Sequence, residues 1–291
     1  MNTLQTTTLL LFLTLPTGCA DTNFNGTDTG AGDCGLDKGP ANPKDGIVAG
    51  DGFKPADGFE FGKTKVFVHT AEDLFEVDPD TLAITKIGAF VWPPNTDIAK
   101  MTDIALDKDG RMIGVSKTTV YDVDPKTATC TRLAAFPSTE YHFVGLSYVI
   151  DTTALDKAEY LMGLDKEGAV YKIDPKTGAT TKRGELGGGL EAGGDVVSVK
   201  GFGTMATVKL ANDATDSLAS IDPGNGKATI IGDTGFAKVW GVAYWKGQVF
   251  GFTEGGEFVL IDVKSGKATL KATHQELWWG AGVTTEAPVV E

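Results

Sequence analysis

Five short stretches of this chain repeat one another: "LFEVDPDT" from Leu74, "VYDVDPKT" from Val120, "VYKIDPKTG" from Val170, "LASIDPGNG" from Leu218 and "FVLIDVKSG" from Phe258. Their aspartates, Asp78, Asp124, Asp174, Asp222 and Asp262, are spaced 46, 50, 48 and 40 residues apart. A period of this size restricts the chain to architectures built from repeated supersecondary units. The last unit is the easiest to divide. It reads "VWGVAYW", a Lys-Gly turn, "QVFGFT", a Glu-Gly-Gly turn, "EFVLIDV", a Lys-Ser-Gly turn and "KATLKAT". Alternation between turn residues predicts four short antiparallel strands per unit, the plan of a propeller blade.

The two ends of the repeat region complement each other. The first unit starts directly at a second strand, "KVFVHTA", without an inner one, and the chain finishes on a lone strand, "WWGAGVTT". Trp279-Gly280-Ala281-Gly282 aligns with Trp240-Gly241-Val242-Ala243, the inner strand of the preceding unit. The C-terminal strand is therefore expected to complete the N-terminal blade, closing the ring and removing free sheet edges. The expectation is an all-β, single β-propeller of five four-stranded blades. A six-bladed ring is the alternative, should the segment from 46 to 61 supply strands.

The repeated aspartates have a local explanation. Asp at the first turn position accepts backbone N–H groups, Pro presets φ at the second, and Gly takes the left-handed conformation. Spread around a ring, the five cannot converge on one substrate. The units resemble those of bacterial extracytoplasmic propellers with a Leu-Tyr-x-Ile-Asp-Pro-x-Thr-Gly hairpin, over residues 63 to 285. The resemblance implies an architecture and no particular activity.

Function is sought instead in loops that do not repeat. The inter-blade connections "VWPPNTDIAKM", "FPSTEYHF", "ELGGGLEAGG", "GDTGFAKVW" and "ATHQELWW" are expected to gather Trp92, Tyr141, His142, Glu191, Trp240, His274, Trp278 and Trp279 at one end of the axis. Aromatic rings with a few acids and imidazoles suit a sugar ring or a peptide; tryptophans at strand entrances also serve simply to plug the channel. Asp103 and Asp195 occupy matching inner-strand positions where the other blades have Gly145, Gly241 and Gly280. Facing an axial channel, two carboxylates bind a cation, act as an acid/base pair, or accept backbone N–H groups. His69 aligns with Val115, Leu164 and Phe252, so a buried, hydrogen-bonded imidazole is expected. The sequence has no Gly-x-Ser-x-Gly elbow, P-loop or His-Glu-x-x-His motif. "DTNFNG" at Asp21 has calcium-loop offsets but Gly32 where the loop needs Glu. No metal or cofactor is expected.

A formal net charge of −13, spread along the chain, argues against nucleic acid or an anionic membrane surface as partner. The apolar run Leu9 to Leu15, broken at Pro16, reads as an export signal over residues 1–18. Thr17-Gly18-Cys19 resembles the lipobox of bacterial lipoproteins, which implies a lipid on Cys19 and a membrane contact through that anchor only. The alternative is cleavage after Ala20, releasing a secreted or periplasmic protein. Residues 19–60, rich in Gly, Asp, Asn, Thr and Pro, read as a flexible tether, followed by the propeller at 61–285 and a tail at 286–291. Cys34 and Cys130 remain as an even pair in an oxidising compartment, bridged or free.

These features together predict a monomeric, noncatalytic recognition or scaffold propeller of the cell envelope that binds a glycan, peptide or envelope protein. The alternative is a propeller hydrolase or lyase drawing on Asp103, Asp195, His142, Glu191 and His274.

Overall fold

The computed structural model describes residues 65–94, 96 and 100–289. Cys19 and Cys34, with the signal and tether expectations, lie outside them. The first blade begins with β1 (Val66–His69), β2 (Asp73–Val77) and β3 (Ile84–Ala89). The second is β4 (Asp103–Leu106), β5 (Met112–Val115), β6 (Thr119–Val123) and β7 (Cys130–Ala135). The third is β8 (Phe143–Ile150), β9 (Glu159–Asp165), β10 (Ala169–Ile173) and β11 (Thr180–Glu185). The fourth is β12 (Glu191–Val199), β13 (Gly203–Lys209), β14 (Ser217–Ile221) and β15 (Ala228–Asp233), and the fifth β16 (Val239–Trp245), β17 (Gln248–Thr253), β18 (Glu257–Asp262) and β19 (Ala268–Thr273). The last strand, β20 (Gly280–Gly282), pairs antiparallel with β1 and completes the first sheet in the order β20-β1-β2-β3. Its register, Phe67 opposite Gly282 and His69 opposite Gly280, is the closure expected from the alignment.

The inner strands contact one another in the cycle β20, β4, β8, β12, β16 and back to β20. That cycle is closed with five members, so the six-bladed alternative has no place to insert. The inner strand β4 and the second strands β1 and β5 are buried at every position, whereas the outer strands β3, β7, β11, β15 and β19 alternate towards solvent. The gradient follows from geometry. An inner strand has the axis on one side and a neighbouring blade on each face, so it reads as a continuous apolar run instead of an alternating one. Ile230 of β15 and Leu270 of β19 are half exposed on outer strands, and single apolar residues of this kind are normal on a surface.

Every repeated aspartate makes the same turn. Backbone N–H groups donate to the side chains of Asp78 (from Thr81, 2.9 Å), Asp124 (Lys126, 2.8 Å), Asp174 (Lys176, 2.9 Å), Asp222 (Gly224, 2.8 Å) and Asp262 (Ser265, 2.8 Å). Each turn ends in a left-handed residue, Gly178, Gly226 and Gly266 in three blades, with Leu82 at φ 62° and Ala128 at φ 56° in the other two. The motif therefore sets the hairpin between third and outer strands, far from the axis.

At the opposite end of the inner strands the chain beyond β20 stays on the domain. Thr284 Oγ1 donates to the Asp107 carbonyl (2.7 Å) and Thr285 Oγ1 to Glu159. The Thr285 carbonyl accepts from Lys200 N, that of Pro288 from Lys246 N, and that of Val289 from the Tyr244 hydroxyl. The tail expected from residue 286 is thus a strap over the turns of blades two to five, packed as far as Val289. Cys130 is a buried thiol whose Sγ faces the Ala128 carbonyl at 3.7 Å, and burial pushes it up to about 12.

Candidate functional site at the channel mouth

The axis is built from one position repeated five times. The residues after Asp103, Gly145, Asp195, Gly241 and Gly280 are Ile104, Leu146, Val196, Val242 and Ala281, and the N–H of each turns inward to a carboxylate. Asp195 Oδ1 accepts from Val196 (2.6 Å) and Leu146 (3.3 Å), and Oδ2 from Val242 (2.9 Å) and Ala281 (3.3 Å). Asp103 Oδ1 accepts from Ile104 at 2.8 Å. All five inner strands are thereby tied to two side chains with no accessible surface. The three glycines are the other half of the arrangement. A Cβ at Gly280 would collide with Asp103 Oδ1 and His69 Nε2, and one at Gly241 would lie 2.8 Å from the Gly280 carbonyl carbon. The axis has room for two side chains at this level, and the sequence supplies two.

The two carboxyls sit together in the buried axis, and Asp103 Oδ2, like His69 Nε2, has no hydrogen-bond partner. Burial raises both. The backbone donors restrain the rise at Asp195, while burial and then the charge of Asp195 hold Asp103 well above the carboxylate range. Asp103 is accordingly the protonated partner. His69 lies alongside, fully buried as expected, with Nδ1–H donating to the Thr70 carbonyl at 2.7 Å. Its Nε2 stands 3.6 Å from Asp103 Oδ1 without a hydrogen-bond partner, and burial lowers the imidazole to about 4, keeping it neutral.

One residue above this ring is the mouth. Thr102, Val144, Trp240 and Trp279 precede four of the five axial positions, and all four line a cleft of about 260 Å³ together with Lys117, Tyr141, His142 and Phe143. Bulges aim two of them. The register of β8 against β9 slips between Phe143 and Gly145, and that of β16 against β17 between Val239 and Gly241, so Val144 and Trp240 are the extra residues. A bulge re-aims a side chain in this way. In the fourth blade the corresponding residue is Gly194, where a Cβ would collide with the Val239 carbonyl. Trp240 and Trp279 meet edge to face, centroids 5.9 Å apart and planes at 85°. Lys238 Nζ lies 5.9 Å from the Trp240 ring centre and Lys100 Nζ 5.5 Å from that of Trp279. Tyr141 is held by stacking on Phe143 (5.3 Å, 12°) and by Thr180 Oγ1, which donates to its hydroxyl at 2.7 Å.

The residues picked from sequence divide accordingly. Tyr141, His142 and Trp240, with Trp279, come together in the cleft, and Asp103 and Asp195 lie one residue below it, Asp195 accepting four backbone N–H groups and Asp103 one, with Asp103 Oδ2 unpartnered. Trp278 has no accessible surface. It packs edge-on against Phe75 and Phe252 and donates through Nε1 to the Gly256 carbonyl at 3.4 Å, so it holds the core and is out of reach of a ligand. His274 packs against Trp278, and Trp92 against Phe90 and Tyr121. Glu191 pairs with Lys209 across β12 and β13. None of these three lines the cleft. The hydrolase or lyase alternative needs three of Asp103, Asp195, His142, Glu191 and His274 around one water or ion. The first two have no accessible surface, and the other three occupy separate places. Among the described residues no three His, Cys, Asp or Glu side chains gather as a metal would require.

Sequence reasoning missed Thr102, Lys117, Phe143 and Val144. Lys117 sits in the turn between β5 and β6, a loop class that shares this face but contributes no aromatic signal.

No protein-family model matches the chain, and neither does any curated protein sequence. Among solved structures, a chain of the nidogen/laminin complex matches 77% of this chain and 100% of its own length, at 8% identity and a TM-score of 0.50. A protein of unknown function from Bacteroides caccae matches 72% of this chain and 73% of its own, at 13% identity and a TM-score of 0.43. At 8% identity the first likeness is one of fold alone. The fold is a five-bladed β-propeller.

Proposed function

We propose that this propeller is a noncatalytic recognition module whose ligand seats at the mouth of the axial channel. The observation that carries the reading is convergence: residues from blades one, two, three and five meet in one aromatic cleft, while Asp195 below it is enclosed by backbone N–H groups. Binding sites are concave, mostly apolar and few per protein, with a small number of placed polar groups. The cleft has that make-up, with Thr102, Tyr141, His142 and Lys117 as the polar members. Its volume is at the low end of ligand sites, so the ligand presents a single ring or side chain to it.

A screen of the full chain against glycans and peptides tests this. At least one probe is expected to bind, and Trp240→Ala is expected to weaken it about tenfold or more at unchanged thermal midpoint. Flat responses throughout, or a bound probe indifferent to both Trp240→Ala and His142→Ala, would remove the reading.

The lipid expected on Cys19 would hold the protein at the cell envelope. Metabolic labelling with a palmitate analogue is expected to mark the protein and to fail on Cys19→Ala. An unlabelled parent protein beginning at Asp21 would instead mean a soluble, exported form.

A further inference from the structure

We infer that the ligand of the mouth cleft is a carboxylate-bearing sugar, a uronate or sialate residue of an acidic glycan. This rests on the reading of the mouth as a recognition site and adds the chemistry of what it takes.

Charge comes first. The chain has 39 acidic against 26 basic residues, so an arbitrary stretch of surface is acidic. The titratable residues lining the cleft are nonetheless Lys117, His142 and Tyr141, and among the described residues no carboxylate lines it. Lys100 and Lys238 add two ammonium groups over the tryptophan faces. Lys238 is paired with Glu254. Lys117 and Lys100 have no carboxylate partner among the described residues, and Lys117 is exposed. Below lie Asp103 and Asp195, the latter enclosed by four N–H groups, and the oxygens of Asp165 accept from His142 N and Glu167 N. Among the described residues the charge lining the cleft is thus that of Lys117, with Lys100 beside it, and a cleft with one sign of charge concentrates ligands of the other.

The rings then select the body of the ligand. An aromatic box usually invites a cation, but the ammonium groups of Lys100, Lys117 and Lys238 stand at this one and would repel a cationic ligand. Two indoles at 85° form a corner that suits a pyranose, whose apolar C–H face lies on one ring with its edge against the other. Hydroxyl recognition is provided for. Thr102 Oγ1 donates to the Val115 carbonyl at 3.0 Å and keeps its lone pairs, and the Tyr141 hydroxyl accepts from Thr180 and keeps its own proton to donate.

An extended peptide fits less well. Peptides commonly bind by adding a strand to an open sheet edge, and at this mouth the inward N–H groups of the inner strands are already given to Asp103 and Asp195.

Titrating the full chain with oligogalacturonate, a sialylated oligosaccharide, a neutral galactose oligomer of matched length and poly-glutamate tests the inference. An acidic sugar is expected to bind most tightly and to weaken as salt is raised. Lys117→Gln is expected to reduce that binding about threefold to fivefold, the upper part of the range for an exposed ion pair, and to leave neutral-sugar binding unchanged. Neutral sugar bound as tightly, with Lys117→Gln silent, would overturn the acidic-sugar assignment and leave the recognition reading standing. A preference for poly-glutamate over both acidic sugars would overturn it in favour of an acidic peptide. Failure of these four probes, in a protein that binds something else in the wider screen, would overturn it too. Failure of that wider screen as well would remove the recognition reading itself.

Discussion

An Asp195→Ala variant is expected to unfold about 3–5 kcal/mol more easily than the parent, the range for breaking a buried, hydrogen-bonded charge. The physical reason is the number of groups that depend on one side chain. Leu146, Val196, Val242 and Ala281 all lose their acceptor at once, and each buried N–H left unpaired costs about 1–3 kcal/mol unless water replaces the carboxylate. Asp195→Asn is expected to be nearly as harmful, because its NH2 would face two donors where an oxygen stood. Asp103→Asn is the informative contrast. Asp103 is already held neutral, so an amide of the same shape changes no charge there, and the change is expected to lie within about 1 kcal/mol at pH 6.

Alkaline pH should separate the same two variants. The folded-state value of Asp103 is raised, so above the unfolded carboxylate value the folded chain holds a proton that the unfolded chain has lost. Stability from this group is complete below about pH 4 and declines as pH rises. His69 acts in the opposite sense, since its value is lowered to about 4, but above pH 7.5 it is neutral in both states. From pH 7.5 to 9 the parent should therefore lose about 1.4 kcal/mol per pH unit that Asp103→Asn does not lose, for as long as Asp103 keeps its proton. Urea midpoints at four pH values give the comparison. Parallel curves for parent and Asp103→Asn, or an Asp195→Ala variant within 1 kcal/mol of the parent, would show that the axis is not held in this way.

Trp278→Ala is expected to cost about 3–5 kcal/mol, as for other large aromatic side chains truncated in a core. Its location makes the loss uneven. Trp278 touches Phe75 of β2 and Phe252 of β17, so it spans the seam between the first and last blades. Removing it should loosen β20 from β1 before the middle blades respond. In hydrogen exchange, the amides of Phe67, His69 and Gly282 should lose more protection than those of β9 and β10, which pair within a single contiguous blade. A uniform loss of protection, or an equilibrium change below 1 kcal/mol, would mean that Trp278 is not the clasp.

The blade plan was legible because it is written in local chemistry. An aspartate accepting a backbone N–H from two or three positions on, and a left-handed residue four positions on, need only a short window of sequence. Closure was legible because Trp279-Gly280-Ala281-Gly282 repeats the Trp-Gly pattern of Trp240-Gly241. The site was only half legible. Asp103, Asp195 and the three glycines could be aligned, but their roles depend on which strands approach the axis, a three-dimensional property. Trp278 was grouped with the ligand candidates although its neighbour Trp279 is the one aligned with Trp240. Consecutive strand residues point to opposite sides, so a cleft that takes Trp279 excludes Trp278, and that signal was present. The bulges that aim Val144 and Trp240 left no comparable mark. Lys117 was missed because a single lysine in a turn looks like any solvated lysine until the rings it faces are in place.

Four of the five blades are contiguous in sequence, and their hairpins close over a few residues each. The first blade is different, since Phe67 must find Gly282. Bringing such distant segments together carries the largest loop-closure penalty in the molecule, and contacts of this kind slow folding. The blade written first is therefore the last to be finished, and until β20 arrives, β1 carries the open edge.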